Sequence, residues 1–118
     1  MAGPMEIDSG SVAERSRKSP RTTNAYHWIG GDIDDKLDLY RLASAHQHID
    51  KDSTPTLFMV GEHDNPQRNE PSRKRFKESG VDSGVKVYKG GKHGCWNQLP
   101  WFKTMVDDMD AYFAEKLK

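Results

Sequence analysis

Two short stretches carry residues suited to acid–base chemistry. VGEHDNP at residues 60–66 places Asp64 just past an apolar run, and GGKHGCW at 90–96 places His93 just past another. A carboxylate that holds one imidazole nitrogen fixes the tautomer of the ring and stabilises the imidazolium, while the other nitrogen serves as general base. Asp64 and His93 are therefore candidates for two members of a catalytic triad, and a nucleophile must be sought elsewhere. Each also has a plainer role. Asp64 before Asn65-Pro66 has the make-up of a turn starter, and His93 between Lys92 and Gly94 that of a solvated loop histidine. Their pairing favours chemistry, with Glu62 and His63 as polar neighbours of the acid.

Bringing Asp64 and His93 together requires elements that return the chain to the same place. TLFMV (Thr56 to Val60), bounded by Pro55 and Gly61, is an unbroken apolar run of the kind buried on both faces of a parallel sheet. NEPSRKRFKESG offers a helix of about ten residues ending at Gly80, with Phe76 as its apolar anchor. VKVY (Val85 to Tyr88) is a second short strand leading into Gly90-Gly91. A last amphipathic helix carries Phe102, Met105, Val106, Met109, Tyr112, Phe113 and Leu117 at three- and four-residue steps. Strand, helix, strand, helix predicts an α/β fold with a right-handed crossover and parallel strands. In such sheets functional groups gather outside the carboxyl ends of the strands, where both Asp64 and His93 fall. Gly61, Gly90, Gly91 and Gly94 are assigned to unusual backbone angles at those strand ends. GGKHG is not a phosphate-binding pattern.

The upstream part is less patterned. Residues 8–24, DSGSVAERSRKSPRTTN, show no periodicity and predict a loop or exposed excursion, with RSRKSPR as solvated charge. Residues 25–48 contain a Gly30-Gly31 turn and a short helical run, DDKLDLYRLASA, with Leu37, Tyr40 and Leu42 near one face.

Composition bounds the rest. Of 118 residues only 34% are apolar, so a self-sufficient core is not expected, and 18 basic against 18 acidic side chains provide no long-range attraction for nucleic acid or an anionic membrane. No run approaches the roughly 20 apolar residues of a membrane span, and the first thirty residues lack the pattern of a signal peptide. A soluble chain, cytoplasmic by default, is the expectation. The single Cys95 leaves no intramolecular disulfide. His46, His48, His63, Asp64, His93 and Cys95 form a list of zinc-compatible side chains, but their spacing fits no zinc signature, so neither metal nor cofactor is expected. Trp28, Trp96 and Trp101 supply apolar area, and WNQLPW after the histidine is a candidate pocket wall.

TPTLFMVGEHDNP followed by VKVYKGGKHGCW and a terminal helix resembles the C-terminal part of the α/β-hydrolase superfamily, especially its esterase/lipase and prolyl-oligopeptidase-like branches. The order acid then histidine matches that family. The resemblance covers about residues 54–118. It implies an incomplete parallel sheet, carboxylic-ester hydrolysis of a small-molecule ester by the complete protein, Asp64 as triad acid and His93 as base. Met1 to Ile7 then resembles the end of the preceding sheet strand, and the remainder of 1–53 a variable, lid-like excursion.

One departure matters. The family's nucleophile sits in G-x-S-x-G, whereas here Gly80 to Gly84 reads G-V-D-S-G and Gly90 to Gly94 reads G-G-K-H-G. Ser83 falls before the second strand, on the side opposite His93, and Ser9, Ser11, Ser44 and Ser53 have the flanks of ordinary loop serines. The sequence thus reads as the last third of a serine hydrolase. Its expected partner is a nucleophile-bearing half or a second copy. The alternative is an inactive remnant or interaction module.

Overall fold

The computed structural model describes residues 3–118. In chain order they form helices α1 (Gly10–Lys18), α2 (Asn24–Ile29) and α3 (Leu37–Ala43), strand β1 (Thr56–Gly61), helix α4 (Glu70–Glu78), strand β2 (Ser83–Tyr88) and helix α5 (Trp101–Lys116). Single turns of 3-10 helix lie at Pro20–Thr22, Ala45–His48 and Cys95–Asn97. This is a mixed α/β domain built around a two-stranded sheet.

β1 and β2 pair in parallel, from Thr56 opposite Ser83 to Gly61 opposite Tyr88. Because successive strand residues face opposite ways, Phe58 and Met59 enter different cores. Phe58 packs with Phe76 of α4, Met5 and Ile49. The two phenyl rings meet edge to face, their centroids 6.3 Å apart, an arrangement worth about 0.5–1.5 kcal/mol beyond the area buried. Met59 packs on the other face with Tyr88, Cys95 and Met105 of α5. α4 therefore covers one side of the sheet and α5 the other. α4 starts with Pro71 in its first turn, and Gly80, in the left-handed region, follows its end.

The terminal helix buries less than its pattern predicts. Met105 is 5% exposed, but Phe102, Val106, Met109 and Phe113 are each at least 40% exposed, and Leu117 is 79% exposed. A two-stranded sheet is too narrow to cover a broad apolar stripe, so one edge of it docks and the rest faces outward. In α3, Tyr40 is fully buried as its position predicts, whereas Leu42 lies on the exposed side.

Residues 10–18 form a helix where a loop is predicted. Its inward side is made of Ala13 and Ser16, three residues apart and both buried, which leave no large-residue periodicity to detect. Ala13, Ala25, Ile33 and Tyr40 build a third cluster from α1, α2 and their neighbours. Thr23 caps α2 by accepting from the Tyr26 N–H. Met1 and Ala2 lie outside the described residues, and residues 3–9 form an irregular segment, not a strand. That segment is nevertheless tied down. The Asn69 carboxamide accepts from Met5 N–H and donates to the Gly3 carbonyl, each at 2.9 Å, and Met5 O accepts from His46 N–H.

Three clusters, each of four buried residues, replace a single core. The radius of gyration of 15.6 Å exceeds the roughly 13.5 Å of a compact domain this long. No helix among the described residues is long and apolar enough to cross a membrane.

Candidate active site

Backbone hydrogen bonds continue past the ends of β1 and β2, outside the strand register. Glu62 N–H donates to Tyr88 O, His63 N–H to Gly91 O, and Gly91 N–H back to Tyr88 O, at 2.8–3.0 Å. The Glu62 carboxylate also accepts from Gly90 N–H at 2.8 Å. Two loops are thereby stitched side by side: one leads from β1 to Asp64, the other from β2 to His93. They approach closely at Gly61, where an added Cβ would lie 2.4 Å from Gly91 O.

Asp64 and His93 meet across these loops. His93 Nδ1 lies 3.0 Å from Asp64 Oδ2. The Asp64 side chain is 7% exposed and that of His93 67% exposed. A carboxylate oxygen accepts and a ring N–H donates, so this contact suits the tautomer with its hydrogen on Nδ1 and its lone pair on Nε2. The indole of Trp96 packs against the imidazole in a T-shaped pair, with centroids 5.1 Å apart. Gly94, at φ 86°, turns the chain immediately after His93 and starts the Cys95–Asn97 turn. Cys95 then inserts into the cluster of Met59, Tyr88 and Met105, anchoring the histidine loop from below.

A polar triangle fixes β2 on α5 beneath the site. Tyr88 Oη donates to Asp108 Oδ2 at 2.7 Å, and Lys86 Nζ donates to Asp108 Oδ1. Burial, and then the hydrogen bond to Asp108, push the Tyr88 phenol well above its ordinary value. The hydrogen bonds from Lys86 and then Tyr88 lower the Asp108 carboxyl.

Sequence reasoning missed Arg68. Its guanidinium donates to Asp64 Oδ1 at 2.9 Å, on the carboxylate oxygen His93 does not use. The signal was the four-residue spacing from Asp64, which brings side chains together wherever the chain winds helically.

The remaining candidates lie elsewhere. Ser83 opens β2 whereas His93 follows the end of that strand, so the two are at opposite ends of the sheet. Ser9 donates to Glu6, Ser44 bridges Met5 O and Ile7 N, and Ser53 closes a turn on Asp50. Ser72 does sit on an imidazole, with Oγ 2.9 Å from His46 Nδ1, and His46 Nε2 is 3.7 Å from Glu6. Ser72 has no exposed surface, so this group ties α4 to the upstream segment and offers no atom to a substrate. Among the described residues no three His, Cys, Asp or Glu side chains are placed to share a metal ion.

A solved structure described as a truncated form of a carbohydrate esterase from gut microbiota superposes on this chain with a TM-score of 0.63 and 26% sequence identity. The match covers 80% of this chain and 34% of that one. The fold is esterase-like. The chain spans about a third of the length of the esterase structure it matches. No family model and no curated protein matches the chain.

Proposed function

We propose that this chain supplies the acid and the base of a serine ester hydrolase of the α/β-hydrolase superfamily, with Asp64 as triad acid and His93 as general base. The observation that carries the proposal is the 3.0 Å contact between His93 Nδ1 and Asp64 Oδ2 at the carboxyl ends of two parallel strands. The nucleophilic serine and the oxyanion donors come from polypeptide outside these 118 residues, because neither Gly pair spaced four apart places a serine in the middle.

In this reading the serine hydroxyl attacks the ester carbonyl carbon and His93 Nε2 takes its proton. The Asp64 carboxylate, accepting from Nδ1–H, stabilises the imidazolium. Collapse of the tetrahedral intermediate expels the alkoxide, which takes the proton from Nε2. Water, activated by the same nitrogen, then releases the acid and regenerates the serine. The carbohydrate esterase likeness favours an acylated sugar as substrate, with a sugar hydroxyl as leaving group. Trp96, already against the imidazole, provides a flat apolar wall for it.

The outward stripe of α5, Phe102, Val106, Met109 and Phe113, is then a face on which the nucleophile-bearing part packs. The same stripe is what the alternative reading, an inactive interaction module, would use. The two are separated by mixing this chain with the part of the matched esterase that has no counterpart here, then measuring ester hydrolysis. Activity lost in His93→Ala and Asp64→Asn supports the hydrolase. Complexes that form and stay inactive support the module.

A further inference from the structure

Asp64 has two carboxylate oxygens and a different partner on each. Arg68 Nη2 lies 2.9 Å from Oδ1, and His93 Nδ1 lies 3.0 Å from Oδ2. The partners differ in their own anchorage. The His93 side chain is two-thirds exposed, whereas that of Arg68 is 26% exposed and comes from the same turn as the acid. A carboxylate turns readily about its last torsion, so one contact to a solvent-facing ring does not fix its plane. A guanidinium on the other oxygen does, because its N–H groups point in fixed directions.

The turn that carries Arg68 is held at both ends. Asp64 N–H donates to Gly61 O and Arg68 N–H to Asn65 O, at 3.0 and 3.1 Å. The next residue, Asn69, is clamped to Gly3 and Met5 through its carboxamide. The turn that carries Arg68 is thus held between the end of β1 and the upstream segment.

We infer that Arg68 is a positioning residue: it holds Asp64 Oδ1 so that Oδ2 faces His93 Nδ1, which keeps the imidazole in the tautomer with Nε2 as base. This rests on the assignment of Asp64 and His93 as acid and base. In this role Arg68 acts through Asp64, by its bond to Oδ1.

The ring tautomer of His93 in the full chain reports the effect without any catalytic assay. Long-range proton–nitrogen spectra are recorded at about pH 8.5, where an ordinary imidazole is neutral, for the wild type, Arg68→Met and Asp64→Asn, with backbone spectra as a fold check. The wild type is expected to favour Nδ1–H, and Arg68→Met to lower the ratio of Nδ1–H to Nε2–H by at least about threefold, the scale of one modest hydrogen bond. If Arg68→Met does not fold, Arg68→Leu is judged by the same criterion. An unchanged ratio in the folded arginine variant, with a lowered one in Asp64→Asn, overturns the inference and leaves the acid–base pair standing. An unchanged ratio in Asp64→Asn as well overturns the pair itself.

Discussion

Gly61 and Gly91 touch backbone to backbone, so closely that a Cβ on Gly61 would lie 2.4 Å from the Gly91 carbonyl oxygen and 2.6 Å from its carbon. This contact sets the separation of the acid and histidine loops. Neither side is a flexible side-chain tip that can move aside. Gly61→Ala is expected to cost about 1–3 kcal/mol through overpacking and to push the two loops apart. Urea unfolding measures the first effect, and loss of the Asp64-dependent His93 tautomer the second. Gly3→Ala, with open space around the new Cβ, serves as the control.

The Tyr88–Asp108 pair predicts how stability responds to pH. Asp108 is lowered in the folded chain, so the folded state binds fewer protons there than the unfolded one. Its contribution is present above the ordinary carboxylate range of about 4 and is lost as pH falls through the lowered value. Tyr88 is raised, so its contribution is complete below about pH 10 and is lost as pH rises through the raised value. Urea midpoints at acid, neutral and alkaline pH should show a shallower acid limb in Asp108→Asn and a shallower alkaline limb in Tyr88→Phe.

The two apolar sides of the molecule should answer differently to truncation. Phe76 is 3% exposed and packs on Phe58, so Phe76→Ala is expected to destabilise by about 3–5 kcal/mol. Phe113 is 55% exposed, and Phe113→Ser should change stability by no more than about 0.5 kcal/mol. Self-association, followed by sedimentation, should fall in Phe113→Ser because the outward stripe is shortened.

The parts legible in the sequence are those whose signals are local. TLFMV and VKVY, bounded by Pro55, Gly61 and the Gly90-Gly91 turn, became β1 and β2. Phe76 marked the inward side of α4. Asp64 and His93, placed by the rule of strand carboxyl ends, do come together. What escaped depended on packing or on partners distant in the chain. α1 buries only small residues, so it left no hydrophobic period. The stripe on α5 has a helical period, but period alone does not tell a face buried within the chain from one turned outward. Arg68 was hidden because its role exists only once Asp64 is bent back over the turn.

Arg75 makes a separate prediction about the upstream segment. Its guanidinium donates to the carbonyls of Ile49 and Gln47, each at 3.0 Å, fastening α4 to the turn before β1. Arg75→Ala leaves the part-buried Ile49 carbonyl without this donor, and is expected to cost about 1 kcal/mol. Hydrogen exchange should quicken in residues 45–49 more than in β1.

Asp64 and His93 are proposed as the acid and base of an ester hydrolase. The most direct test is the turnover of an acetylated sugar by this chain reconstituted with the part of the matched carbohydrate esterase that has no counterpart here, for the wild type and for His93→Ala. Hydrolysis by the wild type is expected, with a loss of at least about a thousandfold in kcat for His93→Ala. Hydrolysis by His93→Ala within twofold of the wild type, about 0.4 kcal/mol in barrier, would contradict it.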